Sequence, residues 1–516
     1  MVNLGVVMVA LVVVLVTLIW ELLKVAVWRP YVVTKMFEKQ GVRGPAYKFL
    51  YGSITEMKTL EQKVSRLVLD INSNDIIPKV LPHYHKWSSE YGNTLLYWHE
   101  TQPRVVIADA ELAKQILSNK FGFYVKPETR PSIIKLIGKG LIFVEGMDWA
   151  RHRRILNPAF SMDKLKVMVK RISECTIKML DEWKAQAMVA EDLCVKIKIN
   201  ENFNKLTADI ISHIAFGSSY VQGMEAFKAQ KELQRCCAAS ATNIFIPGSQ
   251  YLPTPSNIQI WKLDRKLKRT LEQIVSNRLK SLATKNSEVD YVDDLLGLMI
   301  GASRNSEELN MYEIMEECKT FFFAGHETTS NLLTWTLFLL SKHQDWQDRL
   351  REEVFIECGT AIPDADMLTK LKLVNMVLLE SLRLYGPATE LGRQATRDMK
   401  LGNLLIPKNT CLMINIAAIH RNRSYWGDDA HEFNPLRFKD GVSKAATHPN
   451  AFIAFSIGPR VCIGQNFAML EAKTVLTLLL QRFRFTLASE YKHAPVNILS
   501  LQPQFGLPVL ARPLQV

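Results

Sequence analysis

One cysteine lies in a segment whose composition suits metal chemistry. The segment Phe455–Gly464 reads FSIGPRVCIG, so an aromatic residue, two glycines and an arginine surround Cys462. Apolar residues then recur every three or four positions, which predicts a helix that starts just past the sulfur. A helix N-terminus, together with backbone N–H groups admitted by Gly458 and Gly464, favours thiolate over thiol. A single shielded thiolate is the axial ligand that favours O–O cleavage at haem iron.

The remaining cysteines have no such setting. No Cys-x-x-Cys pair is present, so neither a zinc site nor a redox pair is indicated by spacing. A free cysteine is most often a small buried apolar residue, and we interpret the other seven in this way. Eight scattered cysteines also indicate a reducing compartment. The seven are Cys175, Cys194, Cys236, Cys237, Cys318, Cys358 and Cys411.

A long helix is predicted from Asn310 to about Lys342, where no proline occurs and apolar residues fall at helical spacing. Such a helix is roughly 50 Å long. Its middle reads AGHETT, in which Gly325 weakens the helix by about 0.8–1 kcal/mol relative to alanine. The Thr328 hydroxyl can bond to the carbonyl of Ala324, four residues back, and bend the helix. Small residues here leave room for a flat cofactor and a diatomic ligand.

An apolar helix is predicted from Thr369 to Tyr385, and it carries Glu380 and Arg383 on one face. The leucines and valines around this pair predict that it is buried. A buried ion pair needs a further partner to satisfy its remaining hydrogen-bonding groups. Arg437, in the segment FNPLRF, is the candidate.

Taken together, these motifs resemble those of the cytochrome P450 family. The Cys462 segment matches the Phe-x-x-Gly-x-Arg-x-Cys-x-Gly signature, and AGHETT matches the oxygen-activation motif. The Glu380 and Arg383 pair matches Glu-x-x-Arg, and Trp149 with Arg153 matches Trp-x-x-x-Arg, all in the family's order. The resemblance implies a mainly α fold with small β-sheets, the cytochrome P450 fold, behind one N-terminal transmembrane helix.

The resemblance also implies roles for individual residues. Cys462 would be the axial ligand of the iron of haem b (heme b), and Thr328 and Glu327 would be the catalytic pair that relays protons during oxygen activation. His326 occupies the variable slot of the motif and is interpreted as a non-ligand. Glu380, Arg383 and Arg437 would form a structural network. The other cofactor-binding residues would be Trp149, Arg153, Arg393, Arg460, Ala324 and Phe455.

The N-terminus predicts a membrane anchor. Residues 4–20 are uncharged and mostly aliphatic, and as a helix they reach about 25 Å, slightly short of the ~27 Å of an endoplasmic-reticulum bilayer. A cleaved signal peptide is the alternative, but it requires a basic n-region and a small-residue cleavage site, and neither is evident. Basic residues after the run would keep the rest cytosolic. We therefore predict an anchor (1–28), a basic and proline-containing hinge (29–45) and a catalytic domain (46–516), in the endoplasmic reticulum membrane.

The net charge of +13 does not by itself identify a partner. Basic residues are dispersed, and the clusters 151–154 and 265–269 lack interleaved aromatic residues, which argues against nucleic acid. A solvated helix face is the simplest interpretation of the second cluster, and an acidic protein partner is the next. No linker or repeat divides the chain, and 48% hydrophobic residues can supply one large core.

The function implied by the resemblance is that of a haem-thiolate monooxygenase. It would use O2, take single electrons from NADPH–cytochrome P450 reductase and hydroxylate a lipophilic substrate. One alternative is a peroxide-rearranging haem-thiolate enzyme without a reductase, although such relatives typically lack the pair Glu327 and Thr328. Another is a non-catalytic membrane carrier of haem or ligand. Hydrolase chemistry has no motif to support it.

The segments expected to line the substrate pocket, named below, are mostly apolar and are interrupted by polar residues such as Thr389 and Glu390. The chain looks like a plant non-A-type membrane-bound cytochrome P450, through NPAF at 157–160 and PQFGLP at 503–508. That resemblance implies a fatty acid or a terpenoid- or steroid-like plant metabolite or hormone as substrate. By resemblance the lining segments are the loop 132–145 and the residues 321–324, 387–392 and 500–505.

Overall fold

Helices form most of the fold. The structure, a computed structural model, describes residues 4–190, 192–217, 220–240, 244–284, 294–306 and 309–514. In chain order the α-helices are α1 (Leu4–Leu23), α2 (Arg29–Glu38), α3 (Ile54–Val64), α4 (Ile77–Val80), α5 (Pro82–Tyr91), α6 (Ala110–Leu117), α7 (Pro131–Ile137), α8 (Gly146–Leu156), α9 (Met162–Val189), α10 (Ile199–Phe216), α11 (Tyr220–Ser240), α12 (Pro255–Thr284), α13 (Leu295–Ser306), α14 (Met311–Lys342), α15 (Gln344–Cys358), α16 (Ala365–Lys370), α17 (Lys372–Tyr385), α18 (Ile416–Ile419), α19 (Arg423–Trp426) and α20 (Gln465–Arg482).

The described strands form small sheets. They are β1 (Leu96–His99), β2 (Gln102–Ile107), β3 (Tyr124–Val125), β4 (Val195–Lys198), β5 (Glu390–Ala395), β6 (Met399–Leu401), β7 (Leu404–Ile406), β8 (Cys411–Asn415), β9 (Phe483–Leu487), β10 (Pro495–Asn497), β11 (Leu501–Pro503) and β12 (Pro508–Pro513). The largest sheet has the order β1-β2-β8-β5-β3, with β2 and β8 parallel. A second sheet has the order β4-β12-β9, and β6-β7 and β10-β11 are two-stranded pairs. The predicted class, mainly α with small sheets, is confirmed.

The N-terminal helix is long and apolar enough to cross a membrane. It continues from α1 through a π-helical turn (Lys24–Trp28) into α2 and ends at Glu38. Its first part is exposed, whereas Val33 and Phe37 in α2 are buried in the core. Pro30 lacks an N–H to continue the α-helical ladder, and the widened turn lies just before it. The predicted hinge, 29–45, therefore begins inside this helix.

The long central helix α14 agrees with its prediction. Asn310 caps it: the Asn310 side chain accepts from the backbone N–H of Glu313, and the Glu313 side chain accepts from that of Asn310, both at 2.9 Å. The helix packs against α10, α17 and α20. Its central stretch thus lies between the helix that follows Cys462 and the helix that carries Glu380.

Two predicted segments differ from the structure. The helix expected from Thr369 to Tyr385 is interrupted at Leu371 (ψ 86°), because the Glu353 carboxylate caps a new helix by accepting from Leu373 N at 2.7 Å and Val374 N at 2.9 Å. The segment 132–145, expected as a loop, begins within α7, which Pro131 starts and Gly138, with φ 86°, ends. In both cases a helix starts because of a residue outside the predicted segment, Glu353 for α17 and Pro131 for α7.

Candidate active site

Cys462 lies in a tight loop immediately before α20. The backbone N–H of Cys462 donates to the carbonyl of Phe455 at 2.9 Å, which closes the loop and fixes the orientation of the cysteine. The helix begins three residues later, at Gln465, as predicted. All eight cysteines are free, and the accessible surface of Cys462 lies inside the protein, on the cavity described below. The loop therefore presents one sulfur to the interior cavity described below.

The two glycines of this loop have different tasks. Gly458 has φ +74°, and a Cβ built on it would lie 2.4 Å from the carbonyl oxygen of Leu117, so only glycine fits between the loop and the end of α6. We expected Gly458 to let a backbone N–H approach the sulfur. Its contacts indicate instead that it lets the loop approach α6. Gly464 meets that expectation, since its backbone N–H lies against the Cys462 sulfur.

The electrostatic setting of the sulfur is mixed. Burial raises the pKa of Cys462, while the Gly464 N–H and the positive charge of Arg153 lower it, and the net direction is upward. The helix terminus and N–H groups alone thus do not produce a thiolate here. A metal cation bonded to the sulfur would supply the missing stabilisation, because a coordinated thiol is deprotonated.

A cavity of about 170 Å³ separates Cys462 from the central helix. Thr320, Phe321 and Ala324 of α14 form the wall opposite the sulfur. Phe321 stacks on Phe160, with ring centroids 5.8 Å apart, and this stacking leaves the small Ala324 facing the space. The full lining comprises Lys126, Leu141, Ile142, Trp149, Arg153, Thr320, Phe321, Ala324, Arg460, Val461, Cys462 and Ile463.

The two small residues of the central motif, Ala324 and Gly325, lie on different sides of α14. A Cβ on Gly325 would lie 2.7 Å from the Ile211 side chain, so this glycine allows α10 to pack closely rather than leaving room for a cofactor. Ala324 is the small residue that faces the cavity. His326 is buried among Phe227, Phe322 and Phe323, consistent with a non-ligand.

Thr328 and Glu327 occupy different environments although they are adjacent. Thr328 lies one turn beyond Ala324, is exposed, and donates its hydroxyl to the Ala324 carbonyl at 2.7 Å, as predicted. Glu327 is buried, and its Oε1 accepts from Ser500 Oγ at 2.6 Å and from Gln234 Nε2 at 3.0 Å. Gln234 also donates to the carbonyl of Ile498 at 2.9 Å. The acid is thus held by α11 and by the segment just before β11.

Positive charge is concentrated at one edge of the cavity. Arg460 stacks at 4.5 Å over the ring of Trp149 and forms an ion pair with Glu145. Arg153, one turn from Trp149 on α8, donates to the carbonyl of Val461 at 2.9 Å. Arg393 on β5 is buried, and burial followed by the charge of Arg460 lowers its pKa to about 10. Three of the four sequence-predicted residues at this edge thus lie around the Cys462 loop, and Arg393 is electrostatically coupled to them.

Lys126 belongs to the same edge and was not predicted. Burial, then Arg393 and Arg460, lower the pKa of Lys126 to about 7, while Glu145 acts in the opposite direction. Glu145 also accepts from the backbone N–H of Lys126 at 2.9 Å. No motif marks Lys126, which follows the two-residue strand β3. In the sequence it is an isolated lysine before Pro127, and nothing there distinguishes it from other lysines.

The arrangement fits a flat cofactor with an anionic edge. A sulfur lies on one wall and an alanine on the opposite wall. At the edge, four cations with lowered pKa values repel one another around one acid, Glu145. Buried like charges are unfavourable unless an anion joins them. Haem b, with two carboxylate side groups and an iron that accepts a thiolate, satisfies both requirements.

The predicted structural network is present behind the cavity. Arg383 donates to both oxygens of Glu380 at 2.7 Å, and both side chains are fully buried. Arg383 also donates to the carbonyls of His420 at 2.7 Å and Ala430 at 2.6 Å. Arg437 lies 3.5 Å from Glu380 and pairs with Asp429. These contacts join α17 to the segment that precedes the Cys462 loop.

The basic residues at 151–154 do not form an exposed basic patch. Arg151 pairs with Glu313 at 2.6 Å, and His152 is buried against Glu317 at 2.6 Å. On α12, Arg265 and Arg269 are exposed, as expected of a solvated face. Among the other cysteines, burial raises the pKa of Cys175 to about 12 and of Cys237 to about 11, so both are protonated thiols at neutral pH in the absence of a ligand.

Comparisons with known proteins agree with this geometry. Residues 68–510 match the family described as cytochrome P450. The chain is 54% identical over 505 residues to "Cytochrome P450 709B1" of Arabidopsis thaliana, covering 96% of each chain. It is 40% identical to "Cytokinin hydroxylase" of the same plant, covering 94% of each chain, and 38% identical to "Secologanin synthase 1" of Catharanthus roseus, covering 96% of this chain and 95% of that one. The chain therefore belongs to the cytochrome P450 family, whose members are monooxygenases that bind haem through a cysteine thiolate.

Proposed function

We propose that this chain is a membrane-anchored monooxygenase that hydroxylates a fatty acid or a terpenoid- or steroid-like plant metabolite. NADPH–cytochrome P450 reductase would supply the electrons and O2 the oxygen. Cys462 would ligate the iron, Trp149, Arg153, Arg393, Arg460 and Lys126 would hold the anionic edge, and Ala324 and Phe455 would border the ring. The observation that carries the proposal is that Cys462 and Ala324 line one cavity, with the Thr328 hydroxyl bonded to the Ala324 carbonyl.

Haem iron with a thiolate ligand supplies the oxidising chemistry when it is bound. The chain's own residues do the rest. Thr328 presents a hydroxyl that can donate toward the cavity once it releases the Ala324 carbonyl. Glu327, next to it in the sequence, would return a proton to that hydroxyl; its Oε1 is held by Ser500 and Gln234, and its Oε2 lies 3.9 Å from His326 Nε2. Leu141, Ile142 and Phe321 make part of the lining apolar, which would disfavour water at the reacting face once cofactor and substrate are bound.

The proposed anchor and location follow from the N-terminal helix. Residues 1–28 would lie in the endoplasmic reticulum membrane, 29–45 would connect, and 46–516 would form the cytosolic catalytic domain. Support comes from the exposed aliphatic surface of α1 and from the burial of Val33 and Phe37 in the core, which fixes where the helix meets the globular part. The reductase and the substrate would then share this membrane surface.

The substrate class and reductase dependence are tested together. Microsomes that contain the chain and the reductase are supplied with NADPH and with fatty acids, terpenoids, steroids or cytokinins, and products are identified by mass. We expect a hydroxylated product from one lipophilic class only when NADPH and reductase are both present. Product formed from a lipid hydroperoxide without reductase would favour the rearranging enzyme instead, and no turnover of any class would favour a carrier.

Loss of the Thr328 hydroxyl is expected to separate electron consumption from product formation. In Thr328→Ala, NADPH oxidation continues but product per NADPH falls by about 10²-fold, because general acid catalysis typically contributes 10²–10⁴-fold. Product and hydrogen peroxide are measured against NADPH consumed. Thr328→Ser keeps the hydroxyl and serves as the control. Wild-type product yield per NADPH in the alanine variant would contradict the role given to Thr328.

Gln234, on α11, is expected to affect product formation because its side chain holds the Glu327 carboxylate in place. Gln234→Leu removes one donor from the carboxylate, and we expect product per NADPH to fall about tenfold, in the range seen when outer-shell partners are lost. The control is Gln230→Leu, one turn earlier on α11, whose amide donates instead to the carbonyls of Leu136 and Lys319. Equal yields in the two variants would show that Glu327 does not depend on Gln234.

Haem affinity is expected to depend on pH through Lys126. Without cofactor the pKa of Lys126 is lowered to about 7, whereas carboxylates of bound haem would raise it, so binding takes up a proton above pH 7. The dissociation constant should rise by up to about tenfold per pH unit between pH 7 and pH 9. Transfer of haem to a scavenging apoprotein measures this dependence. Lys126→Met should flatten it, and an unchanged slope in that variant would refute the assignment.

A further inference from the structure

Three different metal-ligating side chains meet between α9 and α10, outside the Cys462 cavity. Cys175 comes from α9, and Asp209 and His213 come from α10, where four-residue spacing places them on one face. One donor atom from each lies within 4.8 Å of the other two. None of the three lines the cavity next to Cys462. The cluster is therefore separate from the site described above.

One carboxylate oxygen in this cluster has no hydrogen-bond donor, although the Asp209 side chain contacts both His213 and Cys175. Asp209 Oδ1 is buried and accepts no hydrogen bond from the described part of the chain. The His213 Nε2 atom lies 3.3 Å away but without hydrogen-bond geometry. Arg171, one turn from Cys175 on α9, is engaged with Glu174 at 2.7 Å. A buried carboxylate oxygen without a donor is unfavourable, and a bound cation would stabilise it.

The distances suit a tetrahedral ion. Zinc bonds to nitrogen and oxygen are about 2.0–2.2 Å, and a tetrahedron with such bonds has edges of roughly 3.3–3.6 Å. The separation of 3.3 Å between His213 Nε2 and Asp209 Oδ1 matches one edge. The sulfur lies within 4.8 Å of one donor atom of each of the other two residues, so a shift of about 1 Å brings it to zinc–sulfur range, about 2.3 Å from the ion.

We propose that Cys175, Asp209 and His213 bind one zinc ion, with water as the fourth ligand. Sulfur with nitrogen is a donor set that favours zinc over calcium or magnesium. On binding, the Cys175 thiol loses its proton to solvent and forms the zinc–sulfur bond, so thiolate and carboxylate together balance the charge of the ion. The His213 side chain is 27% exposed, which leaves an approach from solvent for the ion and its water.

The consequence for the enzyme is mechanical. Zinc would tie α9 to α10, and α9 packs against α20, the helix that begins just past Cys462, while α10 packs against α14. The ion would thus stabilise the two helices that flank the haem cavity without entering it. We expect zinc to raise the unfolding temperature of the holoenzyme while its absorption spectrum stays unchanged.

The test measures metal content in the haem-loaded protein. The protein is treated with EDTA, dialysed against zinc, freed of excess metal by gel filtration and analysed for zinc and iron by mass spectrometry. We expect roughly one zinc per chain in wild type and less than about a fifth of that in Cys175→Ser or His213→Gln, at unchanged iron content. Cys194→Ser and His85→Gln, which alter the same residue types elsewhere, should retain the zinc.

A second measurement on the wild-type protein keeps the proposal testable if a variant does not fold. Zinc-edge X-ray absorption should show one sulfur near 2.3 Å and nitrogen or oxygen neighbours near 2.0 Å. No retained zinc in wild type would overturn the proposal. Zinc bound without any sulfur neighbour, or equally by the Cys175→Ser variant, would also overturn it, since the ion would then lie elsewhere.

Discussion

A Cys462→Ser variant is expected to fold, yet to lose monooxygenase turnover. A serine hydroxyl does not ionise at neutral pH, so the iron would lose the anionic sulfur that favours O–O cleavage. The loss should exceed the ~100-fold that follows removal of an outer-shell partner of a metal ligand. Product formation with NADPH and reductase, and the spectrum of the reduced carbon-monoxide complex, measure the effect.

The matched control for this variant is Cys194→Ser. Cys194 is another free cysteine, lies just before β4 and lines no part of the haem cavity. It should keep wild-type turnover and spectrum. If Cys462→Ser retained the wild-type carbon-monoxide spectrum, the sulfur of residue 462 would not be the ligand.

A Glu380→Ala variant is expected to be strongly destabilised and to purify without haem. The change leaves the fully buried Arg383 guanidinium without its two 2.7 Å partners, and breaking a buried ion pair from one side costs about 3–5 kcal/mol. The network joins α17 to the segment 420–437 that leads into the Cys462 loop, so its loss should disorder the haem pocket. The haem-to-protein ratio and the thermal unfolding temperature measure both effects.

The control for Glu380 is an ion pair of similar length on the surface. Arg171 donates to Glu174 at 2.7 Å on α9, where both side chains are about half exposed. Glu174→Ala should cost no more than about 0.5 kcal/mol and leave haem content unchanged. A normally loaded Glu380→Ala protein would contradict the assignment of this network.

Features set by local spacing could be predicted from the sequence. The helix after Cys462, the long helix from Asn310, and the placement of Trp149 and Arg153 one turn apart follow from periodicities of three to four residues. The family resemblance then predicted that these elements face each other across one cavity. Local patterns were sufficient because each motif lies within a single helix or a single turn.

Features that depend on distant contacts could not be predicted. Gln234 and Ser500 hold Glu327 from 93 and 173 residues away, and no spacing rule links them. Lys126 joins the cationic edge only because the chain folds a loop against Arg393 and Arg460. The break at Leu371 arises because Glu353, on another helix, caps α17.

The roles of two glycines show the same limit. The sequence marks Gly325 and Gly458 as positions without a side chain, but not what each one contacts. Gly325 proved to serve the packing of Ile211, and Gly458 the close approach of the Leu117 carbonyl. A glycine in a motif therefore predicts that space is needed, while only the structure identifies what occupies it.

The central claim is that the sulfur of Cys462 is bonded to haem iron as a thiolate. The most direct measurement is the absorption spectrum of the purified, reduced wild-type protein under carbon monoxide. We expect the strongly red-shifted Soret band of thiolate-ligated haem, in a stoichiometry of about one haem per chain. A band at the position of histidine-ligated haem, or protein without porphyrin, would contradict the account.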